Sequence, residues 1–134
     1  MKILLDTHII LWALKEDPQL PPEITALLLD TENKIYYSSV SSWEIAIKHK
    51  VHPDKILMNG KHFIECCQKA GYEMLPLKDE HVFALETIKR PEDAPPHKDP
   101  FDQILIAQAK AEGFLFVTHD AKLPYYNESC IKFV

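Results

Sequence analysis

Apolar and polar positions change period several times along the chain, and each change marks an element. Residues 2–6, Lys-Ile-Leu-Leu-Asp, form an unbroken apolar run closed by Asp6, the pattern of a strand covered on both faces. From Thr7 to Lys15 the spacing becomes helical. Pro21 and Pro22 open a second helical stretch, proline being tolerated in a first turn, and residues 34–39 read as a second strand. Residues 41–50 are helical, with Trp43, Ile47 and Val51 on one stripe and Glu44 and Lys48 sharing another face. A helix over 60–70 ends at Gly71, and a third strand over 72–77 precedes a short helix over 78–88. Residues 89–100, rich in proline and charge, have no period and make a surface loop. A helix from 100 to 112 stops at Gly113, strand-like residues 114–118 follow, and 130–134 is a candidate fifth strand.

Strands separated by helices, with apolar runs that do not alternate, predict an α/β fold: a largely parallel sheet covered by helices on both faces. At 134 residues the chain is expected to form a single domain over 1–134. No apolar run approaches the ~20 residues of a membrane span and the start lacks the order of a signal peptide, so a cytoplasmic location is expected. Three cysteines, two of them neighbours at 66 and 67, argue for reduced thiols rather than a disulfide framework. A formal charge of −5 argues against nucleic-acid binding by general basicity. Any polynucleotide contact therefore falls to bound cations and to local patches such as Lys48, Lys50, Lys89 and Arg90.

In a parallel sheet, ligands sit beyond the carboxyl ends of the strands. Asp6 ends the first strand, Glu44 is expected in the first turn of the helix after the second, and Asp120 lies just past the fourth. Asp102 opens the helix leading into that fourth strand. A parallel sheet would bring all four carboxylates to one edge. Crowded carboxylates persist by raising some pKa values or by taking a cation. Oxygen ligands suit Mg²⁺ or Mn²⁺, which polarise a phosphodiester and activate water.

Each acid has a plainer explanation. Asp99, Pro100 and Asp102 fit N-cap, N1 and N3 of a helix. Ser41 and Glu44 spell a capping box, Asp6 could cap the first helix, and Asp120 could begin a turn. Capping accounts for each acid singly and leaves their convergence on one edge unexplained.

Four blocks, "LLDTHIILW", "SSVSSWEIAIK", "HKDPFDQILIAQA" and "FVTHD", in this order and spacing resemble the PIN-domain family, and within it the VapC-type ribonuclease toxins of bacterial toxin–antitoxin pairs. The resemblance implies a three-layer α/β/α fold around a parallel sheet of four or five strands. It implies Mg²⁺- or Mn²⁺-dependent endonucleolytic RNA cleavage, a homodimer, and inhibition by a cognate antitoxin. The family's acids fall on Asp6, Glu44, Asp102 and Asp120, and Asp99 matches the extra acid of a subgroup, a metal ligand or a helix start. That subgroup commonly has Arg where this chain has Gln103, which weakens any carry-over of substrate preference.

Thr7 and Thr118 could hold substrate or only satisfy their neighbours, and Lys48 could reach phosphate or only pair with Glu44. Seven histidines show no zinc spacing. His97, in the loop just before Asp99, could approach substrate, but it is read as a surface histidine, and Trp12, Trp43 and Phe101 are expected at core positions. The apolar positions Ile9, Ile10, Ala13 and Leu14 are expected to be buried, with a dimer or antitoxin surface as the other use. Two further functions compete. One is phosphoryl transfer on small substrates with Asp6 as nucleophile, although the second acid such phosphatases carry two residues later is here His8. The other is a non-catalytic binding module of the same fold.

Overall fold

A computed structural model describes residues 1–134. The strands are β1 (Lys2–Leu5), β2 (Lys34–Ser38), β3 (Glu73–Leu75), β4 (Leu115–Thr118) and β5 (Ile131–Phe133). The helices are α1 (Thr7–Leu14), α2 (Pro22–Leu29), α3 (Ser39–Val51), α4 (Gly60–Lys69), α5 (Asp79–Leu85) and α6 (Pro100–Glu112), with a 3₁₀ turn over Leu123–Tyr126. Five strands pair in the order β3-β2-β1-β4-β5, every pair parallel.

Alternation along the strands divides the core into two layers. Ile3, Leu5, Ile35, Tyr37 and Val117 pack with Ile9 and Ile10 of α1, Ile24 of α2 and Phe63 of α4. Leu4, Tyr36 and Phe116 face the other way, onto Leu105, Ile106 and Ala109 of α6. The result is the expected three-layer α/β/α arrangement. The three cysteines are free, and burial pushes the Cys67 thiol up to about 12. No helix is long and apolar enough to cross a membrane.

The sheet reverses direction beside β1: the chain builds β2 and β3 on one side of it and β4 and β5 on the other. Such a switch point opens a crevice at the carboxyl edge of the two strands that flank it. β1 and β4 lie side by side there, with Leu5 opposite Val117.

Two sequence expectations fail on α3. Its N-cap is Ser38, whose hydroxyl accepts the Val40 N–H, so Ser41 and Glu44 form no capping box and Glu44 lies in the second turn. The Trp43–Ile47–Val51 stripe is not core either: Trp43 is 59% exposed and Val51 63%. The helix instead buries Val40, Ser41, Glu44 and Ile45, a face that contains the two polar side chains directed at the crevice. Trp43 meets Phe101 edge-on at 5.1 Å on the outside.

α6 ends where the sequence says. Gly113 has φ 71°, the left-handed region that favours glycine, and the Phe114 N–H reaches back to the Ala109 carbonyl at 2.9 Å. Gly113→Ala is expected to cost about 1 kcal/mol, a few degrees in thermal midpoint, because any Cβ strains this conformation. Calorimetry of the variant beside the parent protein checks it.

Candidate active site

Asp6 is fixed by its backbone before its side chain is considered. Its N–H donates to the Val117 carbonyl at 3.0 Å, extending the β1–β4 ladder by one residue, and its carbonyl accepts the Ile10 N–H that starts α1. The side chain makes no capping bond. Oδ2 accepts the Thr118 hydroxyl at 2.7 Å, while Oδ1 is buried with no partner. Burial drives the Asp6 pKa above its ordinary 3.8; the charge of Glu44 adds to this, and the Thr118 hydrogen bond and His8 oppose it.

Glu44 reaches the crevice from α3 and is 2% exposed. Thr7 donates to Oε1 at 2.8 Å, and the Ser41 hydroxyl lies 2.8 Å from Thr7, so a short hydroxyl relay holds the carboxylate. Lys48 closes the other oxygen at 2.5 Å. Burial alone would lower the Lys48 pKa, but its bond to Glu44 and the charges of Glu44, Asp99 and Asp102 outweigh this and hold it above the ordinary lysine value. Lys48 thus neutralises a buried acid from a half-exposed position. The hydroxyls of Thr7 and Thr118, weighed above as substrate contacts, are engaged with Glu44 and Asp6.

Asp99 caps α6, its Oδ1 accepting the Phe101 N–H at 2.9 Å, as the capping reading had it. Asp102, one turn on and buried, points at the crevice, where the His97 ring nitrogen Nε2 lies 3.1 Å from Oδ2. Desolvation first, then the charges of Asp6, Asp99, Glu44 and Asp120, push its pKa up to about 8. Four other acids therefore act on this one carboxyl.

Asp120 begins a turn by accepting the Lys122 N–H at 2.9 Å, and its own N–H donates to the Thr118 hydroxyl at 3.0 Å. That one hydroxyl links the residues after β1 and β4. His97, Asp102 and Asp120 each offer a ligand atom within 4.8 Å of the others, a spacing one cation can bridge. Asp6 and Glu44 stand outside that tight set and bear on it through their charge.

His97 corrects the expectation of a surface histidine: its side chain is 5% exposed. Its Nδ1 lies 2.7 Å from the Tyr126 hydroxyl, and burial holds its pKa below the ordinary 6.5. With Asp102 protonated at neutral pH and His97 neutral, the carboxyl proton fits between Oδ2 and Nε2, leaving an Nδ1–H for Tyr126. Nothing in the sequence distinguished Tyr126, twenty-nine residues away. Ser41 was likewise missed, its place taken by a capping box.

Parallel strands in the order 3-2-1-4-5, with buried carboxylates at the switch point, define an α/β protein with an acidic site at the carboxyl edge of its sheet. Residues 3–128 match the PIN domain family, and the chain belongs to it. Among solved structures it is similar in fold to a chain of VapBC2 from Rickettsia felis bound to a DNA fragment from their promoter. There the TM-score is 0.70 and identity 17%, over 100% of this chain and 98% of that one. VapBC-1 from nontypeable Haemophilus influenzae gives 0.67 and 16% over 99% and 98%. FitAcB from Neisseria gonorrhoeae gives 0.63 and 20% over 98% and 96%. None of the curated proteins compared with the chain matches it.

The raised Asp102 pKa sets a pH dependence. From about 4 to about 8 the folded protein binds a proton there that the unfolded chain has lost, so stability falls as pH rises through that window. His97, held neutral, pulls the other way only below its ordinary 6.5. The thermal midpoint of the cation-free protein is expected to drop between pH 6.5 and 8. Asp102→Asn should flatten that drop, and adding Mg²⁺ or Mn²⁺ at pH 8 should reverse it in the parent protein. A midpoint that rises across this interval sinks the assignment.

Proposed function

We propose that this chain is a Mg²⁺- or Mn²⁺-dependent endoribonuclease, the toxin of a toxin–antitoxin pair, acting in the cytoplasm as a homodimer and restrained by a cognate antitoxin. One observation carries the reading: Asp6 keeps a buried oxygen without any partner beside carboxyls crowded enough to hold a proton on Asp102. A hard divalent cation held here would lower both costs, the unpartnered oxygen and the crowded negative charge.

Asp6, Asp102 and Asp120 would hold the cation, with Glu44 balancing charge behind them and Asp99 shaping the start of α6. His97 is in reach of the same position. A bound cation supplies Lewis-acid polarisation and charge neutralisation for attack of water on a phosphodiester. The chain's own residues do the rest. Thr118 fixes the rotamer of Asp6 and ties it to the Asp120 backbone. The Ser41–Thr7 relay aims Glu44, and Lys48 pairs with its second oxygen. His97 sets its Nε2 against the Asp102 carboxyl, with Tyr126 steadying the ring from Nδ1.

Membership of the PIN family and the motif resemblance to VapC-type toxins support the ribonuclease class. The likeness in fold to chains of VapBC complexes supports a protein partner. Purified protein is expected to cleave RNA with Mg²⁺ or Mn²⁺ and to stop on chelation. Asp6→Asn and Asp102→Asn should each lower the rate at least about 100-fold. Thr118→Val, which leaves every acid in place, should cost about 10- to 100-fold. Wild-type protein that cleaves no RNA with either metal overturns the proposal.

A further inference from the structure

Asp6 and Asp120 form one wall of a cavity of about 220 Å³ whose remaining lining is His8, Trp12 and His119. His8 and Trp12 stand one turn apart on α1, with ring centroids 6.5 Å apart. Trp12 meets His119, from the loop after β4, at 5.7 Å and 64°. His119 is itself held in place: it stacks on Phe133 at 5.8 Å with the rings 6° apart, and its Nδ1 is bonded to the Val134 carbonyl. Trp12, expected to be core, packs against the apolar layer and is only partly buried, so its indole is rigid while part of it faces the cavity.

Three aromatic rings from two elements thus line a space that two carboxyl groups also line. A free phosphate is repelled by that wall. A flat neutral heterocycle is not: it offers a π face to the rings and N–H donors to the carboxylates, and the volume leaves room for a single ring system. Base–aromatic stacking tolerates any sequence, because every base has such a face.

We infer that this cavity is a nucleobase subsite, holding one unpaired base of the RNA strand whose phosphate lies at the cation that Asp6, Asp102 and Asp120 would hold. The subsite rests on the reading of the site as one that handles RNA, and extends it from the phosphate to the base beside it. It also gives an acidic protein a grip on its substrate that does not depend on surface lysines.

The chain has two tryptophans, so Trp43→Phe leaves Trp12 as the only reporter. An uncleavable 2′-O-methyl RNA oligonucleotide titrated into that variant with Mg²⁺ should quench Trp12 emission saturably, and an abasic strand of equal length should not. By anisotropy of a labelled strand, Trp12→Leu should weaken binding of the base-bearing oligonucleotide about 10-fold or more and leave the abasic one unchanged. His119→Ala should shift it in the same direction, which covers the case of a Trp12 variant that fails to fold. Equal Trp12 emission with both strands, or wild-type affinity in both variants, overturns the subsite. RNA hydrolysis without base-dependent quenching defeats the subsite and leaves the ribonuclease. Quenching without hydrolysis of any RNA does the reverse.

Discussion

Like charge confined out of water is the constraint on which this molecule is arranged. Asp6, Glu44 and Asp102 are all buried at the carboxyl edge of the sheet, and in a low-dielectric site their mutual repulsion is strong. Each survives through a different device. Glu44 is paired with Lys48 and fed by Thr7; Asp6 takes one hydroxyl and keeps one oxygen bare; Asp102 keeps its proton and leans on His97. The unequal treatment leaves the tension at Asp6 and Asp102.

The surrounding fold follows from placing those groups. α3 turns a face containing Ser41 and Glu44 inward and leaves Trp43 and Val51 exposed. The loop before α6 is tied down through Arg90, which donates to the Pro95 carbonyl at 2.8 Å and lies over the Tyr126 ring at 5.5 Å. Tyr126 in turn carries His97. A segment that reads as structureless from its prolines is therefore anchored at the site.

Much of this was legible in the sequence because it is local. The apolar run ending at Asp6, the Pro100–Gly113 bounds of α6 and the parallel sheet follow from period, caps and strand composition. The convergence of the acids followed from topology, once strand ends were assumed to share an edge. Three things were hidden, each for a stated reason. Ser41 and Glu44 match a capping box in spacing, but Ser38 had already taken the cap, and only the helix start decides that. Trp43, Ile47 and Val51 mimic a core stripe, since apolar character says nothing about a helix that buries polar residues for another purpose. His97 and Tyr126 meet across a fold-level distance that no spacing rule reaches.

The backbone of Asp6 belongs to the β1–β4 ladder, in the register that sets Leu5 opposite Val117. Successive residues of a strand point to opposite faces, so a slip of one position would turn that carboxylate away from the crevice together with every core side chain of β1. Correct hydrogen-bond alignment and an assembled acidic centre are thus one event. A misaligned molecule has no partly formed centre to retain, and quality control of folding doubles as quality control of chemistry.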